Sequence, residues 1–230
     1  MPPDNTPDIL HTGLYDPPTL LTPFELSNLA SKGGLYPPGT VCCIVNGERG
    51  FLNDTIRRVQ ISALRDLYDG HSEHLITPEE AVRCSRITHC AVSAGSQGIY
   101  ELYWPRARFR AWGELSGSTI YFRRFAGATD DQLARVAACF EQDIVQGVRY
   151  DILDLPSFYW RWHIKVTRPY RYSELFGGSR REVHVCSTRV VHNHARTGLM
   201  EDPGPTLWKY YPAEVAYDDL WDDIGQVTIR

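Results

Sequence analysis

The chain has 230 residues, 43% apolar and 23% charged, with 24 basic side chains against 28 acidic ones. That composition excludes wholesale disorder and leaves no global polycation for nucleic acid or anionic lipid. A chain of this length buries roughly 70% of its unfolded surface and needs no disulfide or metal staple.

Residues 1–21 carry Pro2, Pro3, Pro7, Pro17 and Pro18 and read as an irregular lead-in. They show no basic stretch followed by an apolar core, so the expectation is a cytoplasmic protein, or one delivered without a classical signal peptide in a virion or as an effector. Residues 22–230 read as one domain. Thr22-Pro23-Phe24-Glu25 combines an N-cap, a Pro at the first helical position and an acid three residues on, predicting a short helix that stops at Gly33-Gly34. After the Pro37-Pro38-Gly39 turn, Thr40–Val45 reads as a buried strand. Its apolar core, Val41–Val45, is the longest apolar run and far short of the ~20 residues of a membrane span. A helix is expected from Asn53 or Asp54 to near Gly70, and another at Thr77-Pro78-Glu79-Glu80. Ile87–Ser93 and Ile99–Trp104 flank Ala94-Gly95-Ser96-Gln97-Gly98 as a β-hairpin.

Further on, Arg106, Arg108 and Arg110 alternate with Ala107 and Phe109 as a strand with a basic outer face would. The expectation is a solvated face, with contact to an anionic substrate as the alternative. Thr119–Arg124 is another strand. Thr129 to Val145 is the clearest helix, with a capping box at Thr129 and Gln132 and an apolar stripe at Leu133, Val136, Ala137, Phe140 and Ile144. A short strand, Glu182–Val185, is expected to run into a helix from Cys186 to about Arg196. Pro212-Ala213-Glu214 then starts a last helix through Leu220. The class these elements describe is α+β.

None of the six cysteines forms a CxxC pair, which favours free thiols in a reducing compartment. Cys186 stands apart because it opens a helix. A thiol there feels the positive end of the helix dipole and unpaired backbone N–H groups, both of which favour the thiolate. A nucleophilic thiol also needs a base, and the base an orienting group. His89 lies inside the first hairpin strand and Glu101 in the second. A loop of three or five residues puts the two on one face; two or four separates them. A local alternative gathers His184, Cys186, His192 and His194 within eleven residues, a set zinc uses. Against it, His192 and His194 sit about 200° apart on a helix. No metal and no cofactor is therefore expected.

The order of these features resembles the circularly permuted, NlpC-like papain superfamily, in particular its YiiX-type bacterial members, in which the His strand precedes the Cys helix. The resemblance runs from about Tyr36 to about Asp223. Tyr36-Pro37-Pro38-Gly39-Thr40-Val41 is similar to the opening strand, with Thr40 where Asp is common. Thr88-His89-Cys90-Ala91-Val92 resembles the Ser-His-Val-Gly-Ile type of strand, and Ile99-Tyr100-Glu101-Leu102 the strand that follows. The helix and Gly147-Val148-Arg149-Tyr150-Asp151 match a Gly-x-x-Tyr-Asp succession. Val185-Cys186-Ser187-Thr188-Arg189-Val190-Val191 resembles a Cys-Ser-Glu-Leu-Val helix, with Thr188 in place of Glu.

The resemblance implies a papain-like antiparallel sheet packed against a nucleophile-bearing helix. It also implies a Cys186 nucleophile, a His89 base and a Glu101 orienter, with Tyr150 as a secondary residue lining or underlying the cleft. The implied activity is a cysteine peptidase or amidase acting on a peptide, isopeptide or other amide, peptidoglycan peptides among them. Lipid acyltransferase-like relatives tend to carry His at the position of Glu101. The rival from another class is a non-catalytic interaction module on the same fold. It would use the six Trp and 13 Tyr to bind a protein partner or a glycan.

Overall fold

A segment apolar at every position needs cover on both faces. In the structure, a computed structural model, Val41–Val45 is the middle strand of a seven-stranded sheet. Described are residues 18–31, 33–45, 53–54, 56–57, 60, 85–150, 184–203, 212–217 and 220–230. In chain order the elements are β1 (Thr19–Leu21), α1 (Pro23–Leu29), β2 (Val41–Val45), β3 (His89–Ser93), β4 (Gly98–Tyr103), β5 (Arg106–Ala111) and β6 (Thr119–Phe125). Then come α2 (Asp130–Gln146), α3 (Cys186–Arg196), α4 (Pro212–Tyr217) and β7 (Trp221–Ile229). Residues 53–54, 56–57 and 60 are helical as expected, while the helix expected at 77–80 lies outside the described residues.

The strands lie in the order β1-β7-β6-β2-β3-β4-β5, with every neighbouring pair antiparallel except β1 and β7, which are parallel. The fold is α+β, and its sheet is mixed rather than purely antiparallel. One face packs Cys42, Ile44, Ala91, Ile99, Ile120 and Phe122 against Leu26 and Ala30 of the α1 region. The other packs Val41, Cys43, Cys90, Val92 and Tyr121 against Val136 and Phe140 of α2, Val190 and Val191 of α3, and Val215 and Ala216 of α4. Among the described residues no helix is long and apolar enough to cross a membrane.

Local chemistry sets the helix ends. Both expected capping boxes form: the Thr22 N–H donates to Glu25 Oε2 at 2.7 Å, and the Thr129 N–H to Gln132 Oε1 at 2.9 Å. Gly147 closes α2 in the left-handed conformation at φ 66°, where a β-carbon would be strained. Gly39, at φ 89°, lets the entry to β2 press on α2; a β-carbon there would sit 1.9 Å from the Leu133 carbonyl oxygen. The Gln60 amide binds the carbonyls of Ser85 and Ile87 at 3.2 and 2.8 Å, and its oxygen accepts the Ala213 N–H at 2.9 Å. One side chain thus ties the approach to β3 to the start of α4.

Four expectations are corrected. The lead-in is not irregular to its end, because Thr19–Leu21 forms β1 against Val227–Ile229. The C-terminal helix ends at Tyr217, and Trp221–Ile229 is a nine-residue strand. Gly225 and the polar Asp222, Asp223 and Gln226 break the alternation that would announce it, and a register shift at Phe122/Arg123 breaks it further. Of the strand expected at 182–185, the described residues His184 and Val185 are not in a strand. The arginine row is indeed a strand, β5, but it is not simply solvated. Arg108 and Arg110 turn onto a buried carboxylate, as described next.

Candidate active site

The hairpin register decides whether His89 and Glu101 meet. Ser93 pairs with Ile99 and Ala91 with Glu101, so five residues, Ala94–Gly98, lie between the last paired positions. That odd loop puts Glu101 on the face of Ala91 and therefore of His89. The two side chains are diagonal cross-strand neighbours, and His89 Nε2 lies 2.8 Å from Glu101 Oε2 with both residues buried.

His89 also acts on Cys186. The two side chains interact through charge and hydrogen bonding, and the backbone N–H groups of Cys90 and Ser187 favour the same thiol. Cys186 is the first residue of α3, whose N-cap, Val185, has no side-chain acceptor to offer. Thr188, standing where the resembled family has Glu, accepts the Val185 N–H on its hydroxyl at 2.9 Å. That bond completes the reverse half of a cap while leaving the amide of Ser187 to the thiol. Cys186 packs on Leu102 and Ala107, whose side chains alternate to the opposite face from Glu101. The thiol nevertheless interacts with the imidazole, because His89 is the first residue of β3 and stands at the end of the strand.

Electrostatics follow from this geometry. Burial raises the Cys186 thiol, but the charge and hydrogen bond of His89 and the two backbone donors outweigh it and hold the thiol below its ordinary range. Burial alone would depress His89; the Cys186 thiolate and Glu101 reverse that and lift it to about 10. Burial would likewise raise Glu101, yet His89 and Arg108 bring it down to about 2. All three directions favour a thiolate–imidazolium pair backed by a carboxylate.

Tyr150 lies closer to the chemistry than a cleft lining. It shares the cluster of Leu102, Ala107 and Cys186, and its hydroxyl hydrogen-bonds the Cys186 side chain. Burial and the neighbouring thiolate keep the phenol protonated, well above its usual range. It is held there because the segment after α2 runs along β5: the Ala107 N–H donates to the Val148 carbonyl at 2.8 Å and the Tyr150 N–H to the Pro105 carbonyl at 3.1 Å.

Sequence reasoning missed three contributors. Arg108 Nε donates to Glu101 Oε1 at 2.6 Å, so the carboxylate is held from both sides. The Arg108 guanidinium also lies over the Tyr103 ring, 4.4 Å from its centroid, and that ring meets His89 edge-on at 5.5 Å. The signal for both was the register: Arg108 stands opposite Glu101, and Tyr103 occupies the position that the hairpin places across from His89. The third is Asp143, fully buried on α2, which takes Arg189 through both carboxylate oxygens, with Nε at 2.7 Å, and also Asn193 at 2.9 Å and Arg196 at 3.3 Å. All three partners lie on α3, so Asp143 fixes the helix that carries Cys186.

The zinc set does not assemble. His184 and His192 lie with ring centroids 4.6 Å apart and planes tilted by 44°, whereas His194 turns into the core beside Phe125 and Trp221 and bonds the Val190 carbonyl at 2.8 Å. Burial depresses His194 to about 4, the behaviour of a neutral core histidine. Among the described residues no group of three or more His, Cys, Asp and Glu side chains is placed to hold a metal ion. The five described cysteines, Cys42, Cys43, Cys90, Cys139 and Cys186, are all free thiols. Searches against protein-family models and curated proteins found no match for the chain.

Proposed function

We propose that the chain is a thiol-dependent hydrolase, a cysteine peptidase or amidase on a papain-like domain of the permuted NlpC type. The observation that carries this reading is the buried series from Cys186 through His89 to Glu101, with Nε2 2.8 Å from the carboxylate and the imidazole acting on the thiol. The Cys186 thiolate attacks a carbonyl carbon, and the electron pair moves to the carbonyl oxygen. The Ser187 amide and the Tyr150 hydroxyl are the donors at hand for that oxygen. The His89 imidazolium protonates the leaving amine as the C–N bond breaks, giving a thioester. Neutral His89 then takes a proton from water, which attacks the thioester and restores the thiolate. Glu101 holds the imidazole in one orientation and stabilises its charged form.

The test uses a peptide aldehyde or another electrophilic carbonyl probe with the full chain. Cys186 is expected to label far faster than the half-buried Cys139 near neutral pH, and Cys186→Ala to remove turnover with the fold intact. Equal labelling of the two cysteines overturns the proposal.

A further inference from the structure

Two cysteines that the mechanism does not use stand beside the one it does. Cys43 of β2 and Cys90 of β3 are directly opposed in the sheet, and their sulfurs lie 4.0 Å apart. Opposed residues of an antiparallel pair fall within the Cα separation that a disulfide spans, so rotation of the two side chains brings the sulfurs to bonding distance. One step past the Ala91/Glu101 pair, Cys90 falls across from Leu102, which in turn stands opposite Ala107. Cys186 packs on Leu102 and Ala107. A single row on one face of the sheet therefore runs Cys43, Cys90, Leu102, Ala107, with the nucleophile seated on its far end. The same face carries α3, whose Val190 and Val191 share a cluster with Cys43 and Cys90. Cys42, by contrast, alternates to the opposite face.

The three thiols differ in what they can do. Cys43 and Cys90 are 0% exposed, whereas Cys186 retains 3%. Burial, and after it Cys43 and Cys186, push the Cys90 thiol well above its ordinary range, while Cys186 is held below its own. A small oxidant arriving from water therefore meets Cys186 first, both as the accessible member and as the thiolate. Cys90 waits as a protonated thiol, turned to the Pro212 carbonyl at 3.8 Å.

Starting from the reactive Cys186 of the hydrolase reading, we propose that Cys90 and Cys43 are a resolving pair that takes a peroxide oxidation off the nucleophile and stores it as a Cys43–Cys90 disulfide. The Cys186 thiolate attacks one oxygen of hydrogen peroxide. The S–O bond forms, the O–O bond breaks, and the His89 imidazolium protonates the departing oxygen, leaving a sulfenic acid and water. The Cys90 sulfur displaces the sulfenic hydroxyl, which leaves as water with the Cys90 proton, and a Cys90–Cys186 disulfide results. Cys43 then attacks the Cys90 sulfur, its proton passes to neutral His89, and Cys186 departs as the thiolate, the best leaving group of the three. Two thiols are oxidised, one peroxide is reduced to two waters, and the Cys186–His89 ion pair is restored.

The experiment treats the full chain with limiting hydrogen peroxide, blocks the remaining thiols with N-ethylmaleimide under denaturing conditions, and reads the non-reduced digest by mass spectrometry. A peptide pair joined through Cys43 and Cys90 is expected, with Cys186 recovered as its maleimide adduct. Cys42→Ala should retain the joined pair, and its loss there overturns the assignment to Cys43. Cys43→Ala should stop at the Cys90–Cys186 disulfide, and Cys90→Ala should let Cys186 run on to sulfinic and sulfonic acid. Cys186→Ala should keep Cys43 and Cys90 reduced; a disulfide that forms as fast without Cys186 overturns the proposal. So does over-oxidation of Cys186 in the unaltered chain while Cys43 and Cys90 stay reduced, a result that depends on no variant. If Cys186 reacts no faster than Cys139 with either the peptide aldehyde or peroxide, the hydrolase reading fails and this inference with it. A Cys186 that labels with the aldehyde yet never links to Cys90 overturns this inference alone.

Discussion

Among the described residues two carboxylates are completely buried, Glu101 on β4 and Asp143 on α2, and both are held by arginine. Their surroundings differ in one respect. Asp143 is saturated by Arg189, Asn193 and Arg196, and the Arg189 side chain is itself only 5% exposed. Glu101 shares its oxygens between a histidine that changes charge and an arginine whose side chain is 43% exposed. The first is a closed clamp that fixes α3 against α2. The second is open at one end to protons and to solvent. Removing a partner from a closed clamp leaves a buried charge unpaired, so its effect should appear as lost stability. Altering the open one should appear in protonation and rate.

Asp143→Ala is the sharpest way to break this division. It strands the buried Arg189 and is expected to cost about 3–5 kcal/mol in denaturant unfolding. An unaltered midpoint would show that the clamp contributes nothing. Glu101→Gln keeps the shape and removes the charge. Acylation of Cys186 should slow by about 10²-fold while most of the folding free energy survives. If this variant unfolds as readily as Asp143→Ala, the two carboxylates do the same job and the comparison falls.

The same substitution sharpens the pH profile. His89, lifted to about 10, contributes stability below its unfolded value near 6.5 that is lost as pH rises through about 10. The alkaline limb of Cys186 reactivity should therefore lie near 10 and move down in Glu101→Gln. Glu101 acts in the opposite sense. Lowered from 4.5 to about 2, it contributes stability above 4.5 that disappears as pH falls through about 2. Acid unfolding curves should lose that component in the glutamine variant. The smallest effect is expected from Tyr150→Phe, which deletes one hydrogen bond to Cys186. It should slow acylation by the equivalent of about 1 kcal/mol and leave the midpoint of unfolding nearly unmoved.

Much of this arrangement was legible in the chain, and the unequal legibility has a physical cause. Local signals were reliable: the capping boxes at Thr22 and Thr129, the stripe on α2, and the opening of a helix at Cys186 all depend on residues within a few positions of one another. Glu101 was nameable, but its face was not, because that depends on the parity of a loop whose glycines permit either outcome. Arg108 and Tyr103 required the register between strands, which no local pattern encodes. Asp143 was hidden because its partners lie some fifty positions away, and an acid beside an apolar stripe reads as solvent-facing until the other helix is in place. β1 and β7 failed for a related reason: three residues are too few to show a period, and the longer strand interrupts its own with Gly225 and a shifted register.

The pairing of those two strands has a kinetic consequence. Thr19–Leu21 docks on Val227–Ile229, and the Arg230 N–H reaches the Leu21 carbonyl at 3.0 Å. Contacts between segments roughly two hundred residues apart raise contact order and cannot nucleate folding, since their closure entropy is recovered only after the intervening sheet exists. β1 is therefore a latch, closing after the sheet is built. Its amides should exchange with solvent well before those of β2 and β3, while the strands that hold His89 and Glu101 remain protected.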